Sequence, residues 1–165
     1  MLLLSRMDER YLPMVQKYAS DPCIGATSTV PFPYPKDGAL SWYGTVINRQ
    51  KDGSAAVFAV TEDREFRGVI SINAIQREAG RAQLDYWIAR PYQGRGIATQ
   101  AAALAVDHAK TELKLQMLSS RCLTTNLASA RVLERNGFAE YGRLIAQQGK
   151  FTGQELRGFR RRLVT

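Results

Sequence analysis

One stretch limits the possible folds more than any other. Leu84-Asp85-Tyr86-Trp87-Ile88-Ala89 reads as a strand, Gln93-Gly94-Arg95-Gly96-Ile97-Ala98 as a glycine-containing turn, and an Ala-rich helix follows from about Thr99 to Thr111. Glycines let the backbone turn tightly and approach a ligand with no Cβ in the way. The first amides of the following helix lack intrahelical partners, and the helix dipole is positive at that end. Such an end attracts anions, and Arg95 adds a fork of donors suited to phosphate oxygens. The same glycines would also serve a tight turn that binds nothing. The spacing differs from a dinucleotide-binding fingerprint, and no Gly-Lys-Ser/Thr ending marks a P-loop.

The rest of the chain alternates between the two periodicities. Met1–Arg6 reads as a first strand, and a helix pattern runs from about Tyr11 to Ser20 with Leu12, Val15 and Ala19 on one face. Asp21-Pro22 is expected to stop it. Pro31-Phe32-Pro33-Tyr34-Pro35 forms a stiff extended loop, and a second helix covers Asp37 to Arg49. Strands are expected at Ala55–Thr61 and Val69–Ala74, separated by the polar run Glu62-Asp63-Arg64-Glu65. Beyond the Ala-rich helix come a strand at Met117–Thr124, a helix at about Ala128–Asn136, and strands near Tyr141–Gln147 and Glu155–Leu163. Strands and helices mixed in this order imply one layered α/β domain over residues 1–165, with helices packed on a mixed sheet.

Composition removes several classes. With 165 residues, 45% hydrophobic and 23% charged, the chain is ordinary for a globular domain. Cys23 and Cys122 are too few for a disulfide framework and lack metal-site spacing, which points to no metal and to a reduced, cytoplasmic setting. No apolar run approaches the roughly 20 residues that span a bilayer, and the charged start is unlike a signal peptide. The net charge of +8 favours anionic partners or simply solubility. Arg157, Arg160, Arg161 and Arg162 cluster near the end, but no aromatic platform or nucleic-acid motif accompanies them.

Gln93-x-x-Gly96-x-Ala98 resembles the Gln/Arg-x-x-Gly-x-Gly/Ala signature of the GNAT N-acetyltransferase superfamily. The flanking Tyr86–Tyr92 and Thr99-Gln100-Ala101 are similar to that family too, as is Asn126-x-x-Ser129-x-x-Val132-Leu133-Glu134-x-x-Gly137-Phe138. The proline loop followed by Trp42 is similar to the RimJ/RimL-type, ribosomal-protein-alanine acetyltransferase branch. The resemblance implies a mostly antiparallel sheet of about seven strands, splayed between the fourth and fifth, with helices on both faces. It also implies acetyl-CoA as cofactor. Trp87, Ile88 and Ala89 would line the pantetheine arm, with backbone groups of Ile88 and Ala89 pairing to it. Gln93, Gly94, Arg95, Gly96, Ile97, Ala98 and Thr99 would hold the pyrophosphate, and Asn126 would bond the arm. Asn126 would otherwise be an ordinary turn or cap residue.

The reaction implied is direct attack of a neutral amine on the thioester in a ternary complex. Many family members carry a Tyr seven residues after the motif Asn to serve the leaving thiolate, whereas this chain has Leu133. Ser129 matches the serine given that role in RimL-type enzymes, or else is only a first-turn helix residue. The family's strand glutamate is replaced near Gln83, and Asp85 is the nearest carboxylate. Strand alternation sets Asp85 on the face of Gln83 and Trp87, as a base acting directly or through water, or as a structural group. His108, the only histidine, is expected at the surface without a role.

A site without a strong base suits an α-amine, with pKa near 8, better than a lysine near 10.4. The acceptor expected is therefore a protein N-terminus, a ribosomal protein included. A small amine (polyamine, aminoglycoside or amino-acid conjugate) is the alternative, and a non-catalytic acyl-CoA-binding sensor is a second one. The acceptor pocket is expected near Pro31–Trp42 and Lys150–Gly153, with the protein either monomer or homodimer.

Overall fold

The computed structural model describes residues 1–163. Its order is β1 (Leu2–Arg6), α1 (Leu12–Ala19), α2 (Pro22–Thr27), α3 (Gly38–Lys51), β2 (Ala56–Glu62), β3 (Glu65–Gln76) and β4 (Arg81–Ile88), followed by α4 (Ile97–Thr111), β5 (Met117–Leu123), α5 (Leu127–Arg135), β6 (Ala139–Ile145) and β7 (Glu155–Arg162). One seven-stranded sheet runs β1-β2-β3-β4-β5-β7-β6. Its neighbours pair antiparallel except β4 and β5, which are parallel and joined through α4.

Period-two alternation divides the core between the two faces of the sheet. From β2, Val57 and Ala59 join Val15, Ala19, Ala39 and Val46 beneath α1 and α3. Their neighbours Phe58 and Val60 face the opposite way, with Ile70, Ile72 and Leu84, towards α4 and α5. Ala101, Ala105 and Ala109 recur at helical spacing with Ala102 and are fully buried. Such small side chains let α4 lie close to the sheet. Each fully buried Ile or Leu beneath it contributes about 1.5–3 kcal/mol.

Three local expectations are corrected. Asp21-Pro22 ends α1 but also starts α2: Asp21 accepts a hydrogen bond from Cys23 N at 2.9 Å, and Pro22 occupies the first turn. An Asp cap followed by Pro is a helix start as readily as a stop. The strand expected at Val69–Ala74 extends over Glu65–Gln76, because the polar run contracts to a turn at Asp63 and Arg64, with φ of 51° and 71°. Two residues in the left-handed region suit a tight hairpin. Helix α4 begins at Ile97 rather than Thr99, directly after Gly96.

The decisive irregularity lies between β4 and β5. Only Arg81↔Met117, Ala82↔Leu118 and Gln83↔Ser119 pair. At the next step the Ser120 hydroxyl, not a backbone amide, donates to Leu84 O at 2.8 Å. The strands then separate, each held on its outer side, β4 by β3 up to Gly68↔Ile88 and β5 by β7 up to Leu123↔Leu156. The expected splay is present.

Gly68 sets the spacing of β3 against the splayed end of β4. A Cβ built there would stand 2.2 Å from Trp87 O and 2.9 Å from Ile88 Cα. Backbone cannot yield as a flexible side chain can, so Gly68→Ala is expected to destabilise the fold by about 2–3 kcal/mol. Urea denaturation compared with the parent protein checks this.

Candidate active site

The splay opens into a cleft of about 1550 Å³ that runs from the turn before α4 to the loops after α2 and β6. Strand alternation decides which backbone groups face it. Leu84 O is bound by Ser120 from the β5 side. Tyr86 and Ile88, two and four residues on, therefore present their amides and carbonyls to the gap. Ile88 O accepts from Gln93 Nε2 at 2.8 Å. Ala89 is turned the other way: its amide donates to Arg67 O at 2.8 Å, its carbonyl accepts from Tyr92 N, and it is fully buried. The expected pairing through Ala89 is thus corrected: adjacent residues face opposite edges, so Ala89 carries on the ladder to β3 beyond Gly68↔Ile88 and its polar groups are already satisfied.

The turn beyond is built for close approach. Gly94 and Gly96 have φ of 77° and 78°. Nothing lies within 4 Å of a Cβ placed on Gly94, and only Gln100 Nε2, at 4.0 Å, approaches one on Gly96. The first bond of α4 is Gln100 N to Gly96 O, so the amides of Ile97, Ala98 and Thr99 precede the helical ladder and lie at the cleft wall. These open donors at the positive end of a 15-residue helix form an anion cradle. Asn136 fixes its position by donating to Thr99 O at 3.2 Å and to Val132 O at 2.9 Å, which ties α4 to α5.

Arg95 does not point into the cradle. Its guanidinium pairs with Glu62 at 3.3 Å, half exposed. Glu62 also receives the buried Arg67, which stacks on Tyr92 at 4.0 Å. A neighbouring carboxylate offers an unliganded guanidinium a local partner, and sequence spacing could not show that one stood there. Gln93, expected at the pyrophosphate, braces the turn against β4 while still lining the cleft.

On the opposite wall, Asn126 caps α5: its Oδ1 accepts from Ser129 N at 3.1 Å. The cap role is therefore realised, at a position that lines the cleft. Ser129 Oγ lies 2.8 Å from the Tyr86 hydroxyl. Burial raises the Tyr86 phenol to about 12, although its bond to Ser129 opposes the rise. Burial likewise pushes the Cys122 thiol up. Sequence reasoning passed over Tyr86, reading it only as part of a strand motif, and alternation with Asp85 was the available clue to its face.

Asp85 faces the α1–α3 side with Trp87, as alternation requires. Asn73 Nδ2 donates to Asp85 Oδ2 at 2.8 Å and also to Ser71 Oγ at 2.8 Å. Burial raises the carboxyl above its ordinary pKa, and bonds from Asn73 and Gln83 and the Arg121 charge only partly offset this. The far end is closed by Lys150, whose ammonium donates to Gly25 O and Val30 O. That contact joins the β6–β7 loop to α2 and to the segment just after it, and residues of both 31–42 and 150–153 line the cleft. His108 packs edge-on against Phe58 at 5.1 Å, away from it.

A family model described as an acetyltransferase (GNAT) domain matches residues 1–139. A ribosomal-protein-serine acetyltransferase of Escherichia coli (strain K12) is 34% identical over 95 residues, covering 58% of this chain and 52% of that protein. The chain spans about half the length of the curated relatives it matches. Among solved structures, a RimL ribosomal L7/L12 α-N-protein acetyltransferase with coenzyme A superposes at a TM-score of 0.86, with 22% identity and coverage of 98% and 93%. A Vibrio cholerae spermidine N-acetyltransferase with CoA and spermine superposes at 0.85, with 20% identity and coverage of 98% and 95%. At these identities the structures establish the fold.

The raised carboxyl of Asp85 has a consequence for stability. The folded protein holds that proton more tightly than the unfolded chain does. Its contribution is full below the ordinary carboxylate pKa, about 3.9, and is lost as pH rises through the raised value. Thermal denaturation in steps from pH 4 to 7 should show the wild type losing ground steadily to Asp85→Asn, which has no such proton to lose.

Proposed function

The chain belongs to the GNAT acetyltransferase family, with RimJ/RimL-type relatives, and we propose that it moves an acetyl group from acetyl-CoA to the α-amine of a polypeptide. The observation that carries the reading is the splay itself, continuous with the cradle at the start of α4. Tyr86 and Ile88 turn backbone donors and acceptors into the gap, which suits an amide-bearing arm. The open amides of Ile97, Ala98 and Thr99 suit the pyrophosphate, and the bare space around Gly94 and Gly96 admits it. Acetyl-CoA supplies a thioester whose carbonyl carbon is open to attack by an amine.

The chain's own groups divide the remaining work. The gap fixes the two reactants side by side, and proximity of this kind can supply a large share of a rate. The Ile88 amide, on the gap-facing edge of β4, is placed to donate to the oxygen that gains charge during attack. Asp85 accepts the proton that the neutral amine loses as its bond to the acyl carbon forms. Its elevated pKa makes it a stronger base than an exposed carboxylate. Ser129, which lines the cleft from α5, would lie on the side of the leaving sulfur.

Charge favours an α-amine over a polyamine. The cleft presents Asp37 and Asp85 as its carboxylates, against Arg49, Arg121, Arg131, Arg135 and Lys150. A polycation would meet repulsion there, whereas a peptide bearing acidic residues would not. At pH 7 roughly a tenth of α-amines are neutral, compared with fewer than one lysine in a thousand. A site whose base is a single carboxylate therefore meets an α-amine ready to react far more often.

An acceptor panel with mass-spectrometric location of the acetyl group tests this. Peptides beginning with Ala or Ser should be acetylated at the α-amine, with kcat/KM at least about tenfold above spermidine. Acetylation confined to lysine, spermidine or an aminoglycoside would overturn it. In the same assay Asp85→Asn should lower kcat roughly a hundredfold.

A further inference from the structure

The Tyr86 phenol, at the cleft wall, has no task in the acetyl transfer described above. We propose that Tyr86 is a positioning residue that acts through Ser129: its phenol donates to Ser129 Oγ and aims the serine's own proton at the sulfur of coenzyme A. This rests on the acetyl-transfer reading of the same site.

Geometry supports it first. The Tyr86 oxygen lies 2.8 Å from Ser129 Oγ and 3.4 Å from Ser129 O, so the hydroxyl contact is the strong one. Ser129 is also held by its amide, which donates to Asn126 Oδ1 at 3.1 Å. Backbone and side chain are thus both fixed, and the hydroxyl proton, which the Cys122 thiol on β5 can accept while the cleft holds no other sulfur, remains to be directed. A serine hydroxyl has one proton and two acceptor sites. The phenol is the stronger acid of the pair and hence the better donor, so Ser129 Oγ accepts, and its own proton turns to another partner.

Chemistry decides what that proton does. The phenol, at about 12, stays protonated throughout the working range. Cys122 on β5 lies beside it and Asp85 lies on the other face of β4, and negative charge on either strengthens this. A coenzyme thiol, taken as an ordinary thiol of pKa about 8.5, is the stronger acid by more than three powers of ten. Full proton transfer from either hydroxyl to sulfur is therefore disfavoured. The nitrogen–carbon bond forms, the carbon–sulfur bond breaks, and the electron pair stays on sulfur as a thiolate. Both hydroxyl protons remain on their oxygens, the amine's proton goes to Asp85, and the thiolate is protonated by water after release.

The arrangement also accounts for the departure at Leu133. That residue is fully buried in the core beneath α5, so the helix position is committed to packing. The phenol is supplied instead by β4, one layer away.

The test titrates the thiol of bound coenzyme A by its thiolate ultraviolet absorbance and compares wild type, Tyr86→Phe, Ser129→Ala and the double variant. In the wild type, the thiolate fraction of bound coenzyme at a given pH should exceed that of free coenzyme by about tenfold. Each single variant should abolish the excess, and the double variant should match Ser129→Ala. Turnover should follow, with kcat down about tenfold in Tyr86→Phe and KM for acetyl-CoA changed less than about twofold. An unshifted thiol in the wild type overturns the inference alone, as does an effect of Tyr86→Phe that persists undiminished on the Ser129→Ala background. Failure to bind coenzyme A would overturn the acetyl-transfer reading with it.

Discussion

The site depends on where two parallel strands stop pairing. Strands β4 and β5 share three residue pairs, and the Ser120 hydroxyl then takes the place of the next ladder bond. Each strand stays anchored on its far side, so the gap cannot close by sliding. Buried backbone donors and acceptors are nearly always paired, which makes an open edge inside a sheet a feature kept for a partner. The cradle at the start of α4 lies at the end of the same gap because only a short turn, residues 89–96, separates it from β4. Strand edge and helix end are therefore two parts of one groove.

The sheet also separates the proposed chemical duties. Successive side chains of β4 point to opposite faces: Asp85 and Trp87 towards α1 and α3, Tyr86 towards α4 and α5. In the proposed reaction the proton acceptor for the amine and the hydroxyls facing the sulfur never compete for each other. The gap is the one place where both can reach the same acetyl group. Pairing on the outer edge of β4 reinforces this, since Gly68 allows β3 to approach the Trp87 carbonyl with no side chain between.

Local elements were legible because their signals are local. The seven strands, the Ala-rich helix and the turn around Gly94 and Gly96 each announce themselves within a dozen residues, through periodicity and turn chemistry. The errors have the same cause. Asp21-Pro22 was read as a stop when its cap geometry starts a helix. The assignment of Ala89 fails because strand alternation turns its amide to the β3 edge, where Arg67 O binds it. Arg95 was read by charge type alone, without knowledge that Glu62, 33 positions earlier, would stand beside it.

Taken alone, the sequence determined the order of elements, the strand–turn–helix unit and the family motif, since each is a short pattern whose backbone preferences act between near neighbours. The tertiary structure decided which groups meet. Tyr86 and Ser129 are 43 positions apart, Lys150 and Gly25 are 125 apart, and neither spacing predicts a contact. Those pairings follow from the register of β4 against β5 and from the docking of α5 on the sheet. Both are set by burial of the shared core, a sum over many residues that no single segment carries.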